Sequence, residues 1–569
     1  MAYQEELGAA APDEEVEPYT IHVSGKYLDL TRQKLELTRL PRDMPEPRSN
    51  EWWEPKPTVE PLIDYWLEQF SWRVQEQEFN ANVPQFRTSI KTAVSETPLR
   101  LHFIHSRSPH SDAIPLLLIP PFPFTNLALT HLVDLFTDPD DAAADQPFHL
   151  VTPSLPGLGF SDSLTNKTRM VSTVAEMFDV LMKRLGYKHY LVTNSGPAAV
   201  APAQVDWRLA NHLAVHYPDS CLGVHFLSPP FTPPTVRDSP VGWVRWKVAS
   251  LLQSPILGYS QEDLDALRRT KTSNQAKAKA STPTPLGFGG GGAYEPNTLA
   301  YALCDSPLGL LLFILMVVRI SGPREDLQPA EIIKITELTW LPGPEGTMRL
   351  WAHCASCEER YERRTTRNPR AAITVFLGDD EKVGGDAEEV DDGALPRRVP
   401  NAYVCPAWGN RGYDIVSSNR ITGRPGLLAW ERPGVIAAGA RGLAKAILAV
   451  DARLGPSEES RTKLLEQVLV EGDQTAPAET SGITMQAAED AAAKPQQEAY
   501  EATLGPAGQQ PAGPARPDTS TKPIRIRPVT PQKPDGAEET QEESQECQHG
   551  DQESSGSSPD TVIAVQVGA

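Results

Sequence analysis

Four segments of the chain carry residue types that could perform chemistry. Ser195, in TNSGP, lies in a turn after an apolar stretch, where a serine nucleophile could sit. The segment HCASC, which begins at His353, is a CxxC pair beside a histidine and could bind a metal ion or act in redox chemistry. Asp206 opens a helical stretch, where an acidic residue suits the helix dipole, and Asp379 begins an acidic run after a strand-like stretch.

Each of these segments needs partners before it can react. A serine needs an imidazole base, but no histidine occurs between His353 and His549. The CxxC pair has neither a second ligand pair nor a thioredoxin-like βαβ context, and Cys304 and Cys405 are distant single cysteines. The sequence therefore predicts buried or idle thiols, with no metal site and no cofactor.

The composition excludes several classes of protein. The 569 residues carry a formal charge of −21, which argues against a nucleic-acid binder and against electrostatic docking on an anionic leaflet. Six cysteines in so long a chain predict no disulfide scaffold. The acidic N-terminal stretch predicts no signal peptide or membrane anchor, and the apolar run 308–318 is too short to span a bilayer, so we expect a buried helix there. We predict a cytoplasmic protein of unknown oligomeric state.

Strand-like and helical stretches alternate from about Leu99 onward. Short apolar runs predict buried strands, and helical stretches lie between the earlier ones. The strand-like segments are IPLLLIP (114–120), the start of FHLVTPSLPGLGFSD (148–162), KHYLVT (188–193), GVHFLSPPF (223–231), AAITVFLG (371–378) and YDIVSSN (413–419). This order is typical of an α/β fold with a mostly parallel sheet flanked by helices.

Composition also divides the chain into regions. The middle region lacks strand-like text, and the last region is rich in Gln, Glu, Pro, Ser and Ala, so we expect it to be disordered. The predicted regions are a disordered start (1–17), a Trp-rich helical arm (18–98), the first part of the core (99–235), a helical cap (236–369), the second part of the core with an acidic loop at 379–398 (370–454) and a disordered acidic tail (455–569).

Three motifs together resemble the microsomal-type epoxide hydrolases. They are PSLPGLGFSD (153–162), CDSPLGLL (304–311) and LLAWERP (427–433), and the Trp-rich arm resembles the N-terminal region of the same family. The resemblance covers about residues 18–450. It implies an α/β-hydrolase fold with an N-terminal extension and an inserted helical cap, and a small apolar epoxide as the ligand.

The resemblance also implies a covalent mechanism in which an aspartate opens the epoxide and a histidine, oriented by a second carboxylate, activates water. By position in the motifs, Asp206 is similar to the nucleophile and Asp379 to the orienting carboxylate. The backbone N–H groups of Phe122, in PPFP, and of Trp207 are the implied oxyanion-hole donors.

Several parts of that catalytic set are replaced in this chain. Gly426 stands where the family has its histidine, and Phe288 and Thr339 stand where it has its two proton-donating tyrosines. Tyr294 and Tyr301 are near enough in sequence to substitute. About ten residues, NSGPAAVAPA, separate the strand from the nucleophile segment, and we expect this insertion to displace Asp206 from the elbow.

Two functional hypotheses remain open at this stage. The first is an epoxide-hydrolase-family enzyme that uses an aspartate nucleophile with impaired or absent turnover. The second is a non-catalytic member that serves as a scaffold or binds a small molecule. Whether a histidine lies within hydrogen-bonding reach of Asp206 discriminates between them, and His353 is the remaining candidate.

Overall fold

A nine-stranded sheet lies at the centre of the computed structural model, which describes residues 15–42, 56–93, 97–164, 169–198, 202–277, 296–323, 325–356, 359, 368–378 and 403–455. The strands are β1 (Glu17–Pro18), β2 (Gln85–Ile90), β3 (Leu99–Ser106), β4 (Ile114–Ile119), β5 (Phe148–Pro153), β6 (Tyr190–Asn194), β7 (Cys221–Leu227), β8 (Arg370–Phe376) and β9 (Asp414–Ile421). Their order across the sheet is β1-β2-β3-β5-β4-β6-β7-β8-β9.

The six strands from β4 to β9 pair in parallel, and β1, β2 and β3 add an antiparallel edge. Every residue of β6 and β7 is buried, as expected for parallel strands covered on both faces. The predicted α/β-hydrolase architecture, a mostly parallel sheet flanked by helices, is confirmed.

Helices cover the sheet on both faces. The helices before the middle region are α1 (Gly25–Glu36), α2 (Lys56–Glu68), α3 (Trp72–Asn82), α4 (Val133–Thr137), α5 (Met170–Arg184) and α6 (Val205–His216). Six more stand between β7 and β8: α7 (Pro240–Leu252), α8 (Gln261–Lys277), α9 (Pro296–Asp305), α10 (Pro307–Ser321), α11 (Pro329–Trp340) and α12 (Glu345–Ser356). The last are α13 (Leu428–Glu431) and α14 (Pro433–Leu448). Apolar residues of α5 and α6 enter one core cluster, and those of α14 enter another.

The N-terminal arm is not purely helical, contrary to the expectation from its sequence. It contributes β1 and β2 to the sheet, because QFRTSI alternates inward and outward residues beside β3. Two indole N–H groups join the arm to α11. Trp66 Nε1 donates to Glu337 Oε1 at 2.7 Å, and Trp340 Nε1 donates to Thr31 Oγ1 at 2.8 Å.

The apolar run 308–318 lies within α10, where Leu310, Leu311 and Ile314 are at most 1% exposed, so the predicted buried helix is confirmed. In the described ranges no single helix has the length and apolarity to cross a membrane, and α9 and the start of α10 meet that test only as a pair bent by 119°. The predicted acidic loop at 379–398 and the tail after residue 455 lie outside the described residues.

Candidate functional site

Asp206 lies at the carboxyl end of β6 in spite of the insertion. Ala203 and Gln204 adopt positive φ angles of 49° and 57° immediately before α6, and Asp206 occupies the first turn of that helix. Asn194 Nδ2, at the last residue of β6, donates to Asp206 Oδ2 at 3.3 Å across twelve residues of sequence. The insertion therefore leaves Asp206 beside the end of β6, within the first turn of α6, and its displacement from a nucleophile elbow stays a prediction.

Gly196 brings the carboxylate beside the PPFP segment. A Cβ atom at this position would lie 2.8 Å from the Cβ of Pro121 and 3.0 Å from Oδ2 of Asp206. Only glycine permits so close an approach without movement of the backbone. The segment that carries Phe122 and the carboxylate of Asp206 are thus close neighbours, as the resemblance implies for an oxyanion donor and a nucleophile.

The Asp206 carboxyl group is fully buried, and burial raises its pKa to about 6. The hydrogen bond from Asn194 and the nearby backbone N–H groups of Trp207 and Gly196 oppose this rise. Oδ1 has no hydrogen-bond partner among the described residues. The group is therefore mostly ionised above pH 7 and mostly protonated below pH 5, and one oxygen has no donor to satisfy it.

Aromatic side chains occur on the two segments next to the carboxylate, at Phe122 and Trp207. Phe122 is 2% exposed, and its ring meets Trp351 of α12 edge-on with centroids 5.8 Å apart. Trp351 in turn lies 5.6 Å from the ring of Phe313. Trp207 follows Asp206 in α6, lies 6.3 Å from the ring of Phe226, and its buried indole N–H has no partner within the described ranges. These surroundings suit an apolar ligand better than a charged one.

Among the positions where the family residues are replaced, two lie within the described residues. Thr339 is buried in α11, and its hydroxyl donates to Ile335 O at 3.1 Å, inside its own helix. Gly426 is buried with a φ of 65° in the loop after β9. Phe288 lies outside the described residues, as does Tyr294, and Tyr301 is 80% exposed on α9.

The segment that carries the predicted orienting carboxylate runs beside the loop that carries Gly426. Gly378 and Gly423 form an isolated bridge, with N–H···O distances of 3.1 and 3.3 Å. Asp379 itself lies outside the described residues, so its predicted role stays a prediction.

Among the described residues, no base contacts the Ser195 hydroxyl. The Ser195 hydroxyl donates to Ile119 O at 2.7 Å, and its backbone N–H donates to the same oxygen at 3.1 Å. The side chain is 1% exposed and serves to tie the end of β6 to β4. A hydroxyl held in this way is a structural element rather than a nucleophile.

No described histidine hydrogen-bonds Asp206. His353 Nε2 instead contacts Glu359 Oε1 at 2.9 Å, and this carboxylate also accepts the N–H groups of Val171 and Ser172 at the start of α5. The CxxC segment contains the buried Cys354, and Cys357 lies outside the described residues. Within those residues, no cluster of His, Cys, Asp or Glu has the geometry of a metal site.

His225 is fully buried at the centre of the sheet. Its Nδ1 and Nε2 contact Thr193 Oγ1 and Thr374 Oγ1, each at 2.9 Å, so the ring bridges β6, β7 and β8. Burial lowers its pKa to about 3, which keeps the ring neutral. It packs beneath α14, so its role is structural.

Sequence reasoning did not find Asn194, Gly196 or Trp351. Asn194 and Gly196 flank Ser195, and their place beside Asp206 depends on a contact between positions twelve residues apart. Trp351 is one aromatic residue in a helical stretch, and nothing in its spacing distinguishes a ring that packs on Phe122 from a residue of the core.

The N-terminal region matches the family model described as "Epoxide hydrolase N terminus" over residues 16–129. A Stigmatella aurantiaca protein that is provisionally described as an epoxide hydrolase is 28% identical over 57% of this chain and 66% of its own length. Epoxide hydrolase 1 of Sus scrofa is 26% identical over 54% of this chain and 63% of its own length. The chain therefore spans just under two thirds of these relatives.

Two solved structures share the fold. The juvenile hormone epoxide hydrolase of the silkworm Bombyx mori superposes with a TM-score of 0.57 at 21% identity, over 76% of this chain and 94% of that one. The Aspergillus niger epoxide hydrolase superposes with a TM-score of 0.53 at 19% identity, over 76% of this chain and 97% of that one. At these identities the likeness shows the α/β-hydrolase fold and leaves the chemistry open.

Proposed function

We propose that the chain, which has the α/β-hydrolase fold, is a divergent member of the epoxide hydrolase family and that it binds a small apolar epoxide, or a related ligand, beside Asp206 without ordinary turnover. One observation supports the proposal: among the described residues, one oxygen of the buried Asp206 carboxylate has no hydrogen-bond partner and no histidine contacts the group. In this proposal Asp206 is the attacking group of the family reaction, and the described residues supply no base for it.

The first half-reaction needs a carboxylate, a hydrogen-bond donor and a proton source. An Asp206 oxygen would attack an epoxide carbon, the carbon–oxygen bond would break, and the resulting alkoxide would need a proton. The backbone N–H of Phe122, to which no described acceptor is bound, is a candidate to stabilise the alkoxide. The Thr339 hydroxyl donates within α11, which leaves the alkoxide without that donor.

The second half-reaction needs an imidazole to activate water against the ester. Gly426 has no side chain to do so, and the sequence contains no histidine between His353 and His549. Loss of one member of a hydrolase triad costs on the order of 10⁴- to 10⁶-fold in rate. We therefore expect that any ester formed at Asp206 would persist and would not turn over.

Intact-mass spectrometry after incubation with styrene oxide tests the chemistry. We expect no covalent product, or at most one adduct of one ligand mass that maps to Asp206 and is absent from Asp206→Asn. Any adduct should form faster as the pH rises through about 6, because the attacking group is the ionised carboxylate. Ser195→Ala is the matched control and should behave as the unsubstituted chain.

Ligand binding needs its own measurement, because a protein that does not react can still bind. Styrene oxide and its diol should quench tryptophan fluorescence saturably, and Trp207→Phe should reduce the signal. Sustained diol formation over tens of turnovers, abolished by Asp206→Asn, would refute the loss of turnover and would make His353→Ala the next variant to test. The absence of both binding and adduct would instead favour a non-catalytic scaffold.

A further inference from the structure

Helix α7 has two apolar faces, and one of them faces solvent. Its inward face carries Trp246, which packs between Tyr259 and Trp408 with ring centroids 5.4 and 5.6 Å away. Its outward face carries Val244 and Leu251, which are 51% and 83% exposed. A solvent-exposed apolar side chain does not contribute to folding through burial. A row of such side chains on an ordered helix therefore indicates a surface that a binding partner covers.

The outward stripe has helical spacing and continues into the turns at both ends of the helix. We call it the α7 stripe. Its exposed members are Val236, Val241, Val244, Leu251, Leu252 and Leu257, which are between 49% and 83% exposed. Because it follows the convex side of one helix and two turns, the α7 stripe forms a ridge and not a groove.

Positive charge lies on both sides of the α7 stripe. Arg245 flanks one side of the helix, and Lys247 flanks the other with its Nζ 5.9 Å from the ring of Trp243. The helix carries no aspartate or glutamate. Apolar residues flanked by cations, with a tryptophan at the border, are the composition of a helix that lies in the headgroup region of a membrane.

The occupant must complement both the shape and the charge of the ridge. A second copy that met it through the same stripe would bring the cations of two α7 helices into one interface, and neither helix has a carboxylate to pair with them. A ridge also offers no groove for a peptide helix. An anionic lipid surface accepts a convex ridge and attracts its cations. The overall charge of −21 does not oppose this locally, since segments 379–392 and 456–569 together hold 28 acidic and 9 basic residues and so account for −19 of it.

We propose that the α7 stripe docks the protein on the surface of an anionic lipid bilayer, with the apolar side chains at the level of the headgroups and Arg245 and Lys247 against lipid phosphates. The contact is peripheral, and no part of α7 crosses the bilayer. It is independent of the chemistry proposed at Asp206, so it stands or fails separately from that function.

Vesicle flotation with the full 569-residue chain tests the proposal. Vesicles of 70% phosphatidylcholine and 30% phosphatidylserine should carry the protein, and pure phosphatidylcholine vesicles should carry much less. Val244→Ser combined with Leu251→Ser should reduce the bound fraction about tenfold or more, because less apolar area enters the interface. Arg245→Gln and Lys247→Gln should each weaken binding to the anionic vesicles about fivefold and reduce its salt dependence.

Leu37→Ser is the matched control, because Leu37 is 85% exposed and lies outside α7. Leu37→Ser should bind the vesicles to the same extent as the unsubstituted chain. All variants should keep the melting temperature of the unsubstituted chain, since each replaced side chain is exposed. Three outcomes would overturn the proposal: no flotation with anionic vesicles, equal loss in Leu37→Ser, or a dimer by sedimentation velocity that Leu251→Ser abolishes. The last would assign the α7 stripe to a second copy of the chain.

Discussion

Replacing Gly439 by alanine tests how tightly α14 packs on the centre of the sheet. A Cβ atom at this position would lie 2.1 Å from Nε2 of His225 and 2.2 Å from its Cε1. Ordinary carbon contacts are about 3.5–4.0 Å, so the helix or the ring must move by about 1 Å or more. The ring cannot move freely, because Thr193 and Thr374 hold both of its nitrogens.

The size of the effect follows from two opposed terms. Alanine in place of glycine inside a helix stabilises it by about 1 kcal/mol. Overpacking of a buried site costs about 1–3 kcal/mol, and more where the backbone must shift. Since the clash here is with a ring held at both ends, we expect Gly439→Ala to lower the free energy of unfolding by about 2 kcal/mol or more.

Gly442→Ala is the control in the same helix. Its new Cβ would meet only Ser417 Oγ, at 3.5 Å, so it should keep most of the helix-propensity gain and be neutral or stabilising by up to about 1 kcal/mol. Urea unfolding followed by circular dichroism measures both variants. In a His225→Ala background, Gly439→Ala should cost far less, because the alanine methyl then enters the space left by the ring. Equal effects of Gly439→Ala and Gly442→Ala would refute the packing argument.

Two further predictions concern buried ionisable groups. Burial raises the pKa of Glu337 from 4.5 to about 7, so the folded state binds this proton more tightly than the unfolded state does; its stabilisation is complete below about pH 4.5 and is lost as the pH rises through 7. Between pH 5 and pH 7 the unsubstituted chain should therefore lose about 2 kcal/mol of unfolding free energy that Glu337→Gln does not lose, as measured by urea unfolding at both pH values. If the stability difference between the two proteins is the same at both pH values, Glu337 titrates normally. Arg420 donates to both oxygens of the fully buried Asp263, at 2.8 Å each, so Arg420→Met should cost about 3–5 kcal/mol by leaving that charge unpaired. Arg420→Lys should cost less in the same assay, and a loss below 1 kcal/mol for Arg420→Met would contradict the pairing.

The central strands were predictable because their residues are apolar on both faces. IPLLLIP and KHYLVT predict the positions of β4 and β6 to within one or two residues. The strand β3 was missed because it reads LRLHFIHS, in which polar residues interrupt the apolar ones. The strands β1 and β2 were missed as well, since β1 has two residues and β2 reads QFRTSI, a short segment within a helical and polar arm. Their pairing is decided by the neighbouring strand β3, and sequence periodicity alone does not contain that neighbour.

The candidate site also has some features that the sequence could predict and others that it could not. The absence of a histidine in the last part of the folded chain is a property of composition and could be seen in the sequence. The return of Asp206 to the end of β6 could not, because it depends on two left-handed residues before α6 and on the side chain of Asn194. Neither non-glycine residues with positive φ nor a hydrogen bond across twelve positions leaves a regular pattern in the sequence.

The two indole bonds between the N-terminal arm and α11 have a consequence for biosynthesis. Trp66 and Glu337 are 271 residues apart, and Thr31 and Trp340 are 309 apart. At elongation rates of about 5–20 residues per second, the ribosome makes α11 roughly 15–60 s after the first arm helix. During that interval the apolar faces of α1 and α2 lack the helices that bury them, so the nascent arm is a natural client for a chaperone until α11 arrives.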